Sequence, residues 1–159
     1  MTTTATDVRR GVTVSGSPER AFDLFTNHMA QWWPADHHLA QSPVTAMTVE
    51  PRVGGRIFDT CADGTESAWG QVTDWNPPSG FAFAWMITAD WQLESDVEKA
   101  SRVSVTFTAE DGRTRVTLVH NEFWRLRDGG GAMAAAVGDA SGWGKGLELF
   151  AEYADQRDG

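Results

Sequence analysis

Cysteine occurs once, at Cys61, which excludes an internal disulfide and any zinc site built on cysteines. Basic residues are scarce: 13 Lys plus Arg stand against 22 Asp plus Glu, for a net charge of −9. Nucleic-acid binding rests on neutralising phosphates, so this balance argues against a nucleic-acid partner, and against an anionic membrane surface for the same reason. No apolar run reaches the roughly eighteen residues that a membrane-spanning helix needs. The start, Met1 to Asp7, is polar and Thr-rich and lacks the basic and apolar parts of a secretory signal. It reads as a disordered N-terminus, and the expected location is the cytoplasm. No repeat and no interdomain linker is visible.

What the chain does have is tryptophan. Eight Trp and eight Phe share 159 residues with a single Tyr. The length suits one domain, placed here at residues 8–156, and 41% apolar composition is enough for a core without a staple. So many indoles fit either an aromatic-lined space or a core plugged with rings, and composition leaves both open.

Val8 to Ser15 reads as a first strand. Ser17-Pro18-Glu19 opens a helix, with Ser17 as cap, Pro18 at the first helical position and Glu19 at the positive end of the dipole. Phe22, Phe25, Met29 and Trp32 form one stripe, stopped at Pro34. A loop over Ala35 to Pro43 leads to a strand at Val44 to Val49 and a hairpin of Arg56 to Ala62 with Thr65 to Trp75. Phe81 to Ala89 is apolar at nearly every position, as in a central strand covered on both faces, and acidic Asp90 to Lys99 reads as a solvated loop. Arg102 to Ala109 and Arg113 to Phe123 flank an Asp111-Gly112 turn as a second hairpin. Gly129-Gly130-Gly131 is a break, after which Ala132 to Gln156 reads as a long helix with a kink near Gly138 to Gly142, where Ser141 can cap a second half. Gly138, Gly142 and Gly146 fall on one side of it, which fits close backbone approach to the sheet, room for something else, or a helix that frays or starts only at Ser141. The predicted class is α+β, a curved antiparallel sheet of about six or seven strands with helices on one face.

Several pieces, taken in order, resemble one family: Val12-Thr13-Val14 before Ser17-Pro18-Glu19-Arg20-Ala21-Phe22, then Trp32-Trp33-Pro34, Val53-Gly54-Gly55-Arg56 and Gly70-Gln71-Val72 running into Asn76-Pro77-Pro78. Phe81 to Trp85, Val103 to Phe107, Thr117-Leu118-Val119-His120-Asn121-Glu122 and Gly142-Trp143 ahead of Leu147 to Ala154 complete the set. The chain resembles the family of the activator of the heat-shock-protein ATPase, within the START-like, helix-grip (SRPBCC) superfamily. The resemblance implies a sheet gripping the C-terminal helix around an internal cavity, and a small hydrophobic or amphipathic ligand. It implies no shared catalytic residues and no cofactor, and fold likeness alone assigns no reaction.

Candidate ligand-binding residues follow. Trp33, Trp69, Trp85, Trp124 and Trp143 are placed on the cavity wall, where the strand faces and helix stripe converge. His120 shares a strand face with Val116 and Leu118, so it points to the apolar side as a ligand partner, an acid or base, or a satisfied core residue. Glu122, two residues on, is its expected partner or a rim carboxylate. No metal is expected: Asp36, His28, His37 and His38 lack ligand spacing. No Gly-x-Ser-x-Gly elbow occurs, and Gly129 to Ala134 follows charged residues instead of a buried strand, which defeats a dinucleotide reading. The function expected is ligand binding without a catalytic residue. A cyclase or dehydratase that uses His120 is the alternative, and a homodimer or a chaperone contact through Asp90 to Glu98 remains open.

Overall fold

The computed structural model describes residues 7–33, 42–126, 129–139 and 142–156. The expectations for the disordered start, the stop at Pro34, the residues His37 and His38, and the cap at Ser141 fall outside these residues, apart from Asp7.

Seven strands are present: β1 (Val8–Ser15), β2 (Val44–Val49), β3 (Arg56–Cys61), β4 (Glu66–Asn76), β5 (Gly80–Trp85), β6 (Ser101–Glu110) and β7 (Arg113–Asn121). They form one antiparallel sheet in the order β1-β7-β6-β5-β4-β3-β2. Register shifts interrupt β2/β3, β3/β4 and β4/β5. Such bulges bend the bulged strand and raise its twist, and the sheet curls into a half-barrel with the helices in its concavity. The β6–β7 hairpin closes through Asp111 (φ 51°) and Gly112 (φ 79°), the two positive φ values that a tight two-residue turn requires.

α1 (Pro18–Asn27) starts as its sequence dictates, with the Ser17 hydroxyl accepting from the Arg20 N–H at 3.2 Å and Pro18 in the first turn. His28 separates it from the one-turn α2 (Met29–Trp32). The stripe Phe22, Phe25, Met29 and Trp32 is buried along its whole length. β5 is the central strand. Its inward residues Phe81, Phe83 and Trp85 join the main core, whereas Ala84 packs outward with Met86 and Ala100 under the following segment. That segment is less loose than its acidity suggests, since Ile87 bridges Leu93 and residues 97–99 form a helical turn.

The long final helix is two helices, α3 (Gly130–Gly138) and α4 (Trp143–Gln156). Where the two meet the backbone is tight: a Cβ at Gly142 would lie 2.2 Å from the Val137 carbonyl oxygen, so this position requires glycine. The glycine triplet belongs to the start of α3, with Gly129 (φ 84°) as its N-cap. α4 buries Leu147, Phe150 and Ala154 against the sheet. Both ends of the chain interlock: Arg10 donates to the Gly138 carbonyl at 2.6 Å, and Arg20 donates to the Ala154 carbonyl at 2.7 Å.

Candidate functional site

β7 places His120 inward, opposite Val8 of β1 and Val103 of β6. The ring is fully buried and both nitrogens are engaged. The Trp143 indole N–H donates to Nδ1 at 3.0 Å. An indole nitrogen can only donate, so Nδ1 carries the lone pair and Nε2 carries the proton. Nε2–H therefore donates to the Ser101 hydroxyl at 2.7 Å. Phe123 stacks on the ring at 4.6 Å and Trp85 meets it edge-on at 5.2 Å. Burial among these uncharged groups lowers the imidazole pKa from 6.5 to about 3, so the ring is neutral at ordinary pH.

Trp143 opens α4 and continues the aromatic chain. It lies 5.4 Å from Trp85 and 5.7 Å from Trp33, both edge-on. Trp33, half-buried at the end of α2, is 5.1 Å from Trp69 of β4, and Trp69 is 5.7 Å from Trp85. Trp69 donates its indole N–H to the buried Asp59 carboxylate of β3 at 2.9 Å. The structure thus gathers Trp33, Trp69, Trp85, Trp143 and His120 into one connected group between the sheet and the start of α4. One observation marks room beside it and a second marks an unmet polar group. Gly146, one turn beyond Trp143, is buried, yet no described atom lies within 4 Å of where its Cβ would stand. The Trp85 indole N–H is buried and has no acceptor.

Two expected members lie elsewhere. Glu122 does not partner His120. It sits in the left-handed region (φ 58°), which ends the strand alternation, and its carboxylate accepts from Arg125 Nε at 2.8 Å. Trp124, in the helical turn that follows, is 64% exposed and carries the Arg125 guanidinium over its ring at 4.7 Å. Trp75 is half-buried and Trp91 is exposed.

Sequence reasoning missed Ser101, Asp59 and Phe123. Ser101 continues the inward alternation of Val103, Val105 and Phe107, a signal that was available. Among the described residues no three His, Cys, Asp or Glu side chains are grouped to hold a metal, and no helix is long and apolar enough to cross a membrane. A separate open groove of about 380 Å³ lies on the surface by α1, with Phe22, Trp75, Pro77 and Pro78 in its wall, and shares no residue with the aromatic group.

Comparisons with known proteins agree on the architecture. The family model described as Activator of Hsp90 ATPase homolog 1-like protein matches residues 15–155. The solved structure of an anthrahydroquino-gamma-pyrone synthase, Txn09 complexed with SUM, is 36% identical, with 96% of this chain and 99% of that one covered and a TM-score of 0.66. The self-sacrificing resistance protein CalC from Micromonospora echinospora is 24% identical, with 94% of each chain covered and a TM-score of 0.68. The Aha1 dimer from Colwellia psychrerythraea is 14% identical, with 97% of this chain and 99% of that one covered and a TM-score of 0.61. The last two likenesses concern the fold alone. A search of curated protein sequences finds no match.

Proposed function

The chain belongs to the family of Activator of Hsp90 ATPase homolog 1-like proteins, and from that premise we propose that it binds a small, largely apolar molecule between the sheet and α4. The observation that carries the proposal is the tryptophan group of Trp33, Trp69, Trp85 and Trp143 beside the open volume at Gly146. Apolar burial supplies affinity at about 25 cal/mol per Å² before ordering costs. Indole fluorescence and thermal melting, followed across a panel of apolar aromatic compounds, test it. A ligand shifts both, and a panel that moves neither removes the proposal.

The 36% identity to a synthase favours a second reading, in which the same space folds a substrate and closes a ring on it. His120 is a poor proton carrier for that task. Both nitrogens are bonded inside the protein and the ring stays neutral, so in this reading it holds Trp143 and the shape of the space does the work. The matching assay is cyclisation of an ortho-hydroxyaryl 1,3-diketone to a γ-pyrone with loss of one water, read by mass spectrometry. Equal rates with and without the protein dispose of it. A homodimer and a chaperone contact belong to the same proposal as further partners. The surface for the chaperone is the segment 90–98, where exposed Trp91 and Leu93 stand among acids, and pull-down with the chaperone before and after charge reversal of Glu94 and Asp96 tests it.

A further inference from the structure

We infer that the ligand is a flat, uncharged aromatic bearing a carbonyl oxygen, and that the Trp85 indole N–H is the donor that fixes it; this rests on the binding role proposed above. Trp85 ends the central strand β5 and is only 6% exposed. Its neighbours in the cage have spent their indole hydrogens inside the protein, Trp69 on Asp59 and Trp143 on His120. Trp32, further along α2, gives its own to the Leu24 carbonyl at 3.2 Å. Trp85 Nε1 alone among these has no acceptor. Buried donors are paired as a rule, and an unpaired one costs about 1–3 kcal/mol, so this N–H is suited to a partner that arrives from outside the chain.

The surroundings narrow the chemistry. The rings of Trp69, Trp143 and His120 all meet Trp85 at steep angles, between 60° and 68°, at 5.2–5.7 Å. Such edges and faces suit a planar π system. His120, the ring that meets Trp85 edge-on, is neutral and offers an anionic ligand no counter-charge. What remains for Trp85 is an uncharged acceptor, and a ketone or quinone oxygen accepts without bringing a further donor that would itself need a partner. The other unpartnered buried side-chain atom, Ser15 Oγ, lies at the opposite end of β1 from the residue that faces His120 and has no part in this site.

The test uses 9-fluorenone and fluorene, one tricycle with C=O or CH2 at the same position, with binding measured by equilibrium dialysis. The wild type should bind fluorenone about fivefold or more tightly than fluorene, and Trp85→Phe should bind the two within about twofold of each other. On 15N-indole-labelled wild type, fluorenone should move the Trp85 Nε1–H resonance downfield and fluorene should not, a readout that needs no variant to fold. If the wild type binds both compounds equally, or Trp85→Phe keeps the preference, the donor role falls while ligand binding stands. If neither compound binds the wild type, the binding role fails and takes this inference with it.

Discussion

Acid acts on the interior of this protein through His120. Its pKa is about 3 in the folded chain, against 6.5 for a free imidazole, and burial is the cause. A folded-state pKa below the unfolded value means that the unfolded chain takes up the proton first. The neutral ring's contribution is therefore complete above the unfolded pKa and is lost as pH falls from 6.5 toward 3. Integrated down to about pH 5 the loss is about 2 kcal/mol, and it levels off near about 5 kcal/mol once both pKa values are passed. Among the described residues no carboxylate offsets it in the immediate shell, where the ring's contacts are Ser101, Trp143, Phe123 and Trp85. The assay is urea unfolding of the wild type and His120→Gln at about pH 8 and pH 5. Glutamine does not titrate, and every other ionisable group is common to both proteins. Between the two pH values the wild type should lose about 2 kcal/mol more than the variant. An equal loss in both would show that His120 is not held neutral by burial and would refute the depressed pKa assigned to it.

Other outcomes follow from the same geometry. Gly142→Ala forces a methyl against the Val137 carbonyl and should destabilise by about 1–3 kcal/mol in thermal or urea melts. Gly146→Ala meets open space and should gain up to about 1 kcal/mol of helix stability while weakening ligand binding, a split that melting and dialysis read together. Trp69→Phe removes the indole partner of the buried Asp59 carboxylate and should cost about 1–3 kcal/mol, measured by urea unfolding. Trp33→Ala should weaken the binding of an apolar aromatic in a fluorescence titration, whereas Trp124→Ala, at an exposed ring, should leave it unchanged.

Legibility in the sequence followed the range of the physics. Ser17, Pro18 and the Asp111-Gly112 turn act within a few residues, and their roles could be read directly. The inward placement of Trp69, Trp85 and His120 follows from strand alternation, which holds as long as the strand does. It failed at Glu122, where one left-handed residue reset the direction of everything after it, and Trp124 went to the surface in consequence. Partners across the sheet were out of reach. Ser101 meets His120 only because β6 and β7 pair in a register that places Val103 opposite the histidine. Asp59 looks like any surface acid until the neighbouring strand brings an indole to it. The break near Gly138 to Gly142 was expected from Ser141 as a cap, but the carbonyl that forbids a side chain at Gly142 belongs to the preceding helix.

The pairing of β1 with β7 has a consequence for how the chain is made. Val8 must wait for His120, more than one hundred residues later, before its edge is covered. The guanidinium clamps from Arg10 and Arg20 then need Gly138 and Ala154, later still. A nascent chain leaving the ribosome therefore carries an uncovered first strand through nearly the whole of translation. Because long-range pairing is also the slow part of folding, that interval is when this protein depends most on protection from its neighbours.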